Sequence, residues 1–294
     1  MDGLSLLVRV TIPPYPSAVK SHLALLGIAA ALATGCGAAA PTPVYDVYAV
    51  KYAELHGFPL RGLVLGADSA ARVDLAMMVW VLRGQGRVIL VDAGFHRDEF
   101  ISSWSPVAYS RPSEALAPLG IAPEDVTDLI VTHLHWDHAD GIDLFPRARV
   151  WVQQDEYDHY RDPANLPRTG VFASTIAVLE AVAAEGRLRL AAGDSVEPAP
   201  GVLVYTGGRH TRESQYVSVQ TASGTAVIAS DNLYLYHNLD QRRPIAATWD
   251  TVSNLAAHER MRRLAGAPRL IVPGHDPAVF DRFTPVVPGI VRIE

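Results

Sequence analysis

The sequence predicts a layered α/β fold, and three observations carry that expectation. Short apolar strand candidates recur along most of the chain, helical segments alternate with them in its later part, and no linker or internal repeat divides the run from Tyr45 onward. The 294 residues are 49% hydrophobic and 19% charged. That is a globular balance, too apolar for a disordered chain and too polar for a multi-span membrane protein.

The elements follow in order. Met77 to Leu82 (MMVWVL) and Arg87 to Val91 (RVILV) flank Arg83-Gly84-Gln85-Gly86, a hairpin turn. Pro112 to Leu119 is a short helix candidate. Leu129 to Thr132 is a short apolar run, as expected of a buried strand, and Arg149 to Val152 is another. Asp155 to Tyr160 is a second short helix. Ser174 is placed to N-cap a longer one that carries Ile176, Leu179 and Ala183 on one face, with Gly186 at the C′ position. Strands follow at Gly201 to Tyr205, Tyr216 to Gln220 and Ala226 to Ala229, the last two joined through Ser223-Gly224. A helix over Ser253 to Leu264 and a strand over Arg269 to Val272 complete the series.

Net charge narrows the partners. Twenty-five basic against 31 acidic residues leave −6, which disfavours nucleic-acid binding, since phosphate neutralisation needs surplus Lys and Arg. The single cysteine, Cys36, rules out a disulfide within the chain. Its setting points to export. Lys20 precedes an uncharged stretch, Leu23 to Ala33, and Thr34-Gly35-Cys36 follow. The LATGC ending resembles a bacterial lipoprotein signal, in which the cysteine becomes the lipidated first residue; the alternative is an ordinary secretory signal followed by a plain cysteine. The expectation is a signal over residues 1–35, a tether over 36–44 and one folded domain over 45–294. The protein would then sit in the bacterial envelope, periplasmic and held to the membrane only by lipid on Cys36.

The strongest motif is Thr132 to Gly141, THLHWDHADG. His133, His135, Asp137 and His138 place four potential ligands within six positions, directly after a buried strand. Imidazole nitrogens and a carboxylate suit zinc and similar divalent ions. Three further candidates each follow a predicted strand: His210 in TGGRHT, Asp231 in ASDN and His275 in VPGHD. Asp92, in VDAG, is a candidate to orient a ligand histidine or its loop.

This pattern resembles the metallo-β-lactamase superfamily, whose signature is His-x-His-x-Asp-His followed by a later His, a bridging Asp and a final His. The resemblance implies a four-layer αββα sandwich and two divalent ions per chain, Zn2+ in expectation. His133, His135 and His210 would hold one ion, and Asp137, His138 and His275 the other, with Asp231 and a hydroxide between them. One departure stands out. The third-histidine loop usually reads like TPGHT, and here Arg209 precedes the histidine.

Within the superfamily the sequence is most similar to the N-acyl homoserine lactonase family, from about Leu75 to Asp276. The likeness includes WVLRGQGRVILVDAG, VWVQQDEYDHYR, GDSVEPAPGVLVYTGGRHT and Tyr234, three residues after Asp231. It implies a hydrolase that opens a lactone ring by hydroxide attack, with Tyr234 on the substrate carbonyl and Asp137 passing a proton to the leaving oxygen. Phe95, Trp104, Trp136, His237 and Trp249 are candidates for the pocket wall. Two readings compete: another dinuclear hydrolase, such as a phosphotriesterase or thioesterase, and a non-catalytic zinc-binding periplasmic protein.

Overall fold

The computed structural model describes residues 43–294; the expected signal, the lipidation candidate Cys36 and all but the last two residues of the expected tether lie outside them. Six strands open the domain: β1 (Asp46–Pro59), β2 (Arg72–Gly84), β3 (Arg87–Val91), β4 (Asp128–Ile130), β5 (Arg149–Gln153) and β6 (Leu188–Ala191). Five make a second sheet: β7 (Val196–Ala199), β8 (Val202–Thr206), β9 (Gln215–Thr221), β10 (Gly224–Ser230) and β11 (Ile271–Pro273). The chain then returns through β12 (Thr284–Val287) and β13 (Ile290–Ile293). The sheet orders are β12-β13-β1-β2-β3-β4-β5-β6 and β11-β10-β9-β8-β7. Eight helices pack around them: α1 (Asp98–Trp104), α2 (Pro112–Ala115), α3 (Trp136–Ala139), α4 (Gln154–Tyr160), α5 (Ala173–Ala184), α6 (Tyr236–Asp240), α7 (Thr251–Leu264) and α8 (Val279–Arg282). Among the described residues, no helix is long and apolar enough to cross a membrane.

Side-chain alternation builds the layers. On β2, Met77, Val79 and Val81 face a core shared with Phe100, Ile176 and Leu179 of the helices. Ala76, Met78, Trp80 and Leu82 point the other way, into a core shared with Val202, Val204, Val217 and Val219 of the second sheet. On β10, Ala226 and Ile228 join that inter-sheet core, while Val227 and Ala229 meet Ala257 and Met261 of α7. The result is the αββα sandwich. A strand buried on both faces has no polar side, which is why MMVWVL reads as an unbroken apolar run.

Several local expectations need correction. Helix α5 begins at Ala173 with Phe172 at the cap and no side-chain cap bond, so Ser174 lies inside the first turn. Its buried face is Thr175, Ile176, Leu179 and Val182, with Ala183 exposed. Gly186 does take the left-handed conformation that ends the helix, at φ +71°. Residues 112–119 form two short pieces, α2 and a 3-10 turn at Ala117–Leu119. Arg269 and Leu270 belong to a 3-10 turn, and the strand starts at Ile271.

The topology places the site. Strands β3, β4 and β5 are parallel, and so are β10 and β11. Their C-terminal ends deliver Asp92, the His133–His138 loop, Asp231 and His275 to one edge where the two sheets meet.

Candidate metal centre

Seven side chains converge there in two groups, His133, His135, His210 and Asp231 in one and Asp137, His138 and His275 in the other. All are buried or nearly so. Asp231 stands between the groups with its two oxygens turned apart. Oδ2 lies 3.2 Å from His210 Nε2 and 3.7 Å from His133 Nε2. Oδ1 lies 2.9 Å from His275 Nε2 and 3.3 Å from His138 Nε2. Asp137 Oδ2 closes the second group, 3.5 Å from His138 and 3.7 Å from His275.

Outer hydrogen bonds set which nitrogen faces inward. His138 Nδ1 donates to Asp92 Oδ2 at 2.8 Å, His210 Nδ1 to the Ala247 carbonyl at 2.7 Å and His275 Nδ1 to the Ala76 carbonyl at 3.2 Å. Each therefore turns an Nε2 lone pair into the centre. His135 is reversed: its Nδ1 lies 3.1 Å from His133 Nε2 and 2.9 Å from His210 Nε2. His138 Nε2 and Asp231 Oδ1 are buried without a hydrogen-bond partner. Crowded imidazole nitrogens beside orphaned buried acceptors are costly unless a cation stands among them. The donor set of five imidazoles and two carboxylates fits a divalent metal.

Electrostatics sort the rings. Burial, then the neighbouring imidazoles, hold His133 and His135 well below the usual histidine range. Burial also opposes charge on His138 and His275, but the surrounding carboxylates, Asp231 foremost, outweigh it and raise both. Asp231 sits well below the ordinary carboxylate range: burial works against its charge, and His138 and His275 overcome it.

The frame around the ligands includes residues that the motif did not single out. Asp92 accepts from the Thr132 amide at 2.7 Å, the Thr132 hydroxyl at 2.9 Å and the Ser230 hydroxyl at 3.1 Å, besides His138. Glu156, fully buried on α4, accepts from the Leu134 amide at 3.1 Å and the Glu213 amide at 2.7 Å. It thereby ties the first histidine loop to the loop that follows His210. Asn232 Oδ1 accepts from the Gly208 amide and the Ser214 hydroxyl, both at 2.8 Å. In sequence these are an acidic residue on a polar helix and an amide beside a ligand, with nothing to announce their bonds.

The altered third-histidine loop keeps its ligand. A Cβ at Gly207 would stand 2.0 Å from Asn232 Oδ1, and one at Gly208 2.5 Å from the Asn254 Cα. The two glycines let the loop press against Asn232 and α7, and Arg209 then turns through φ +54° to bring His210 inward.

A cavity of about 220 Å3 opens onto the centre past Tyr234, Asp137 and His275, walled by Leu55, Phe58, Leu63, Leu75, Met77, Trp104 and Trp136. Trp104 and Trp136 stack at 5.1 Å. Tyr234 is 7% exposed, with its hydroxyl 3.5 Å from His210 Nδ1. Burial, then Asp231 and Asp137, push this phenol well above the usual tyrosine range. Trp249 lines a second cavity, which shares His135 and Ala247 with the first. Two wall candidates are elsewhere. Phe95 is fully buried behind Trp136, 4.8 Å between rings, and His237 is exposed on α6. The cavity's β1 and β2 residues lie 55 or more positions from the ligand motif, and no local pattern connects them to it.

A family model described as the Metallo-beta-lactamase superfamily matches residues 75–275, and the chain belongs to that superfamily. It has the superfamily's hydrolase fold and a His/Asp cluster suited to divalent metal. Mouse Metallo-beta-lactamase domain-containing protein 1 is 32% identical over 216 residues, 73% of this chain and 67% of the mouse protein. The N-acyl homoserine lactonase of Bacillus cereus is 29% identical over 166 residues, 55% of this chain and 60% of the lactonase. Among solved structures, a quorum-quenching N-acyl homoserine lactone lactonase superposes with a TM-score of 0.69 at 22% identity, over 84% of this chain and 98% of that one.

Proposed function

We propose that this protein is a dinuclear metal-dependent hydrolase that opens the ring of N-acyl homoserine lactones or related lactones. The observation that carries the reading is the placing of Tyr234 and Asp137. Both line the same apolar cavity, each beside one of the two ligand groups. Two divalent cations, Zn2+ in this reading, supply positive charge that activates water and polarises the ester carbonyl.

The protein's own residues do the rest. The Tyr234 hydroxyl donates to the carbonyl oxygen as charge grows there, and its raised pKa keeps the proton on it throughout the neutral range. Asp137 carries a proton to the departing alkoxide. Trp104 and Trp136 take the apolar acyl group and keep bulk water off the reacting carbonyl.

Tyr234→Phe keeps the ring and removes the donor. The expected result is a loss of about 10–100-fold in kcat for lactones, with metal content and folding unchanged. The loss should shrink with an activated aryl ester, whose leaving group needs less help. Steady-state kinetics on both substrates check this, and unchanged lactone kinetics would remove the reading's main support.

Residence in the cell envelope, with lipid on Cys36, belongs to the same proposal. On expression in a bacterium, the wild-type protein is expected to partition with membranes, and Cys36→Ser to block lipidation. Intact mass decides it: an unmodified chain that retains residues 1–35 would exclude lipid attachment.

A further inference from the structure

Two cavities reach the ligand cluster, and they share His135 and Ala247 in their walls. The apolar cavity described above approaches it from the Tyr234 side. The second cavity, about 290 Å3, reaches His135 and His210 and is bordered by Arg168, Thr169, Thr248 and Trp249. Arg168 is exposed and forms no ion pair among the described residues. Two more cations stand near. The Arg209 guanidinium lies 6.0 Å over the Trp249 ring, with its Nε buried and unpartnered. Arg212 acts on His159 and Tyr160, and Tyr160 also borders the cavity. Against them stand Glu213, close to Arg209 and Arg212 with Asp155 and Asp194 near it, Asp162 beside His159, and Asp250, whose carboxylate caps α7. Arg168 is the one formally charged side chain among the residues that line this cavity, which also touches two ligand histidines.

We propose that the second cavity is an anion subsite: the substrate is an amphipathic ester or lactone with its apolar end between Trp104, Trp136 and the β1–β2 wall, and a carboxylate or similar anion at its other end, held by Arg168. The inference rests on the hydrolase reading and narrows it: N-acyl homoserine lactones are neutral, so the favoured substrates are the related lactones or esters that carry an anion. The reaction is unchanged. The acyl carbon gains a bond to water oxygen and loses its bond to the leaving oxygen, which takes up a proton. A single exposed cation contributes modestly, so the preference for an anionic substrate is expected to be about three- to fivefold.

The test uses two matched pairs on the metal-loaded protein. The hydrolysable pair is 4-butyryloxybenzoate and its neutral analogue 4-butyryloxybenzamide, compared by kcat/KM. The inert pair is 4-butoxybenzoate and 4-butoxybenzamide, compared by calorimetric binding. The anion is expected to be favoured in both, less so in about 0.5 M salt. The ratio should fall toward one in Arg168→Gln and below one in Arg168→Glu, with circular dichroism confirming the fold. A wild-type ratio of one overturns the inference. So does a preference that Arg168→Gln leaves intact, because the carboxylate is then bound by the metal centre. If no ester or lactone is hydrolysed but the Arg168-dependent binding preference is found, the anion subsite stands and the hydrolase reading falls. Turnover without the preference has the opposite meaning.

Discussion

Asp231→Asn is expected to lower lactone kcat/KM on the order of a thousandfold and to reduce bound metal in both ligand groups. The carboxylate presents one oxygen to His210 and His133 and the other to His275 and His138. An amide is neutral, and one of its two polar atoms is an NH2 donor, which cannot serve as a metal ligand. Whichever way the amide is turned, one group faces that NH2. Both groups lose the negative charge that offsets a cation. Elemental analysis of purified protein, with kinetics on the same preparation, checks this. Wild-type metal content and rate in Asp231→Asn would show that Asp231 does not bridge, and the dinuclear reading would fail with it.

Asp92→Ala is expected to be the most damaging change to stability. Asp92 is fully buried and its carboxylate receives four donors: the Thr132 amide, the Thr132 and Ser230 hydroxyls and His138 Nδ1. Removing it strands these donors away from water, at a cost of about 3–5 kcal/mol. It also places alanine at φ +61°, a conformation that aspartate tolerates better. For a domain of this size the Tm should fall on the order of 10 °C. Metal affinity should fall about 10–100-fold, because His138 loses the partner that orients it. Thermal unfolding with and without chelator separates the two effects. A drop that appears only in the metal-loaded protein would mean that Asp92 acts through the metal alone, not through the fold.

The ligand set was legible because all seven residues follow a strand: His133, His135, Asp137 and His138 in the loop after β4, His210 after β8, Asp231 after β10 and His275 after β11. Local order in the chain then translates into convergence at one sheet edge. Asp92 was legible for the same reason, since it directly follows β3. The buried strands were legible from their apolar runs, and Gly186 marked the end of α5 because a left-handed position favours a residue without Cβ. Boundaries were less so. Residues 112–119 carry helix formers, yet break into two pieces, since Pro118 has no amide N–H with which to continue α2.

What only the tertiary structure decided is which residues meet from distant parts of the chain. Strand β1 has no distinctive motif, but as the neighbour of β2 it supplies Leu55 and Phe58 to the cavity wall. Phe95 and His237 are aromatic and close in sequence to the site, but packing sends one behind Trp136 and leaves the other on the surface of α6. Glu156, Asn232 and Arg168 are ordinary polar residues in sequence. Their significance comes from which amides, loops or open space they face. Chemistry concentrated at strand ends is written in local spacing. Hydrogen bonds and cavity walls that join segments 18 to 199 residues apart depend on how the sheets stack, and a single chain read in order has no signal for that.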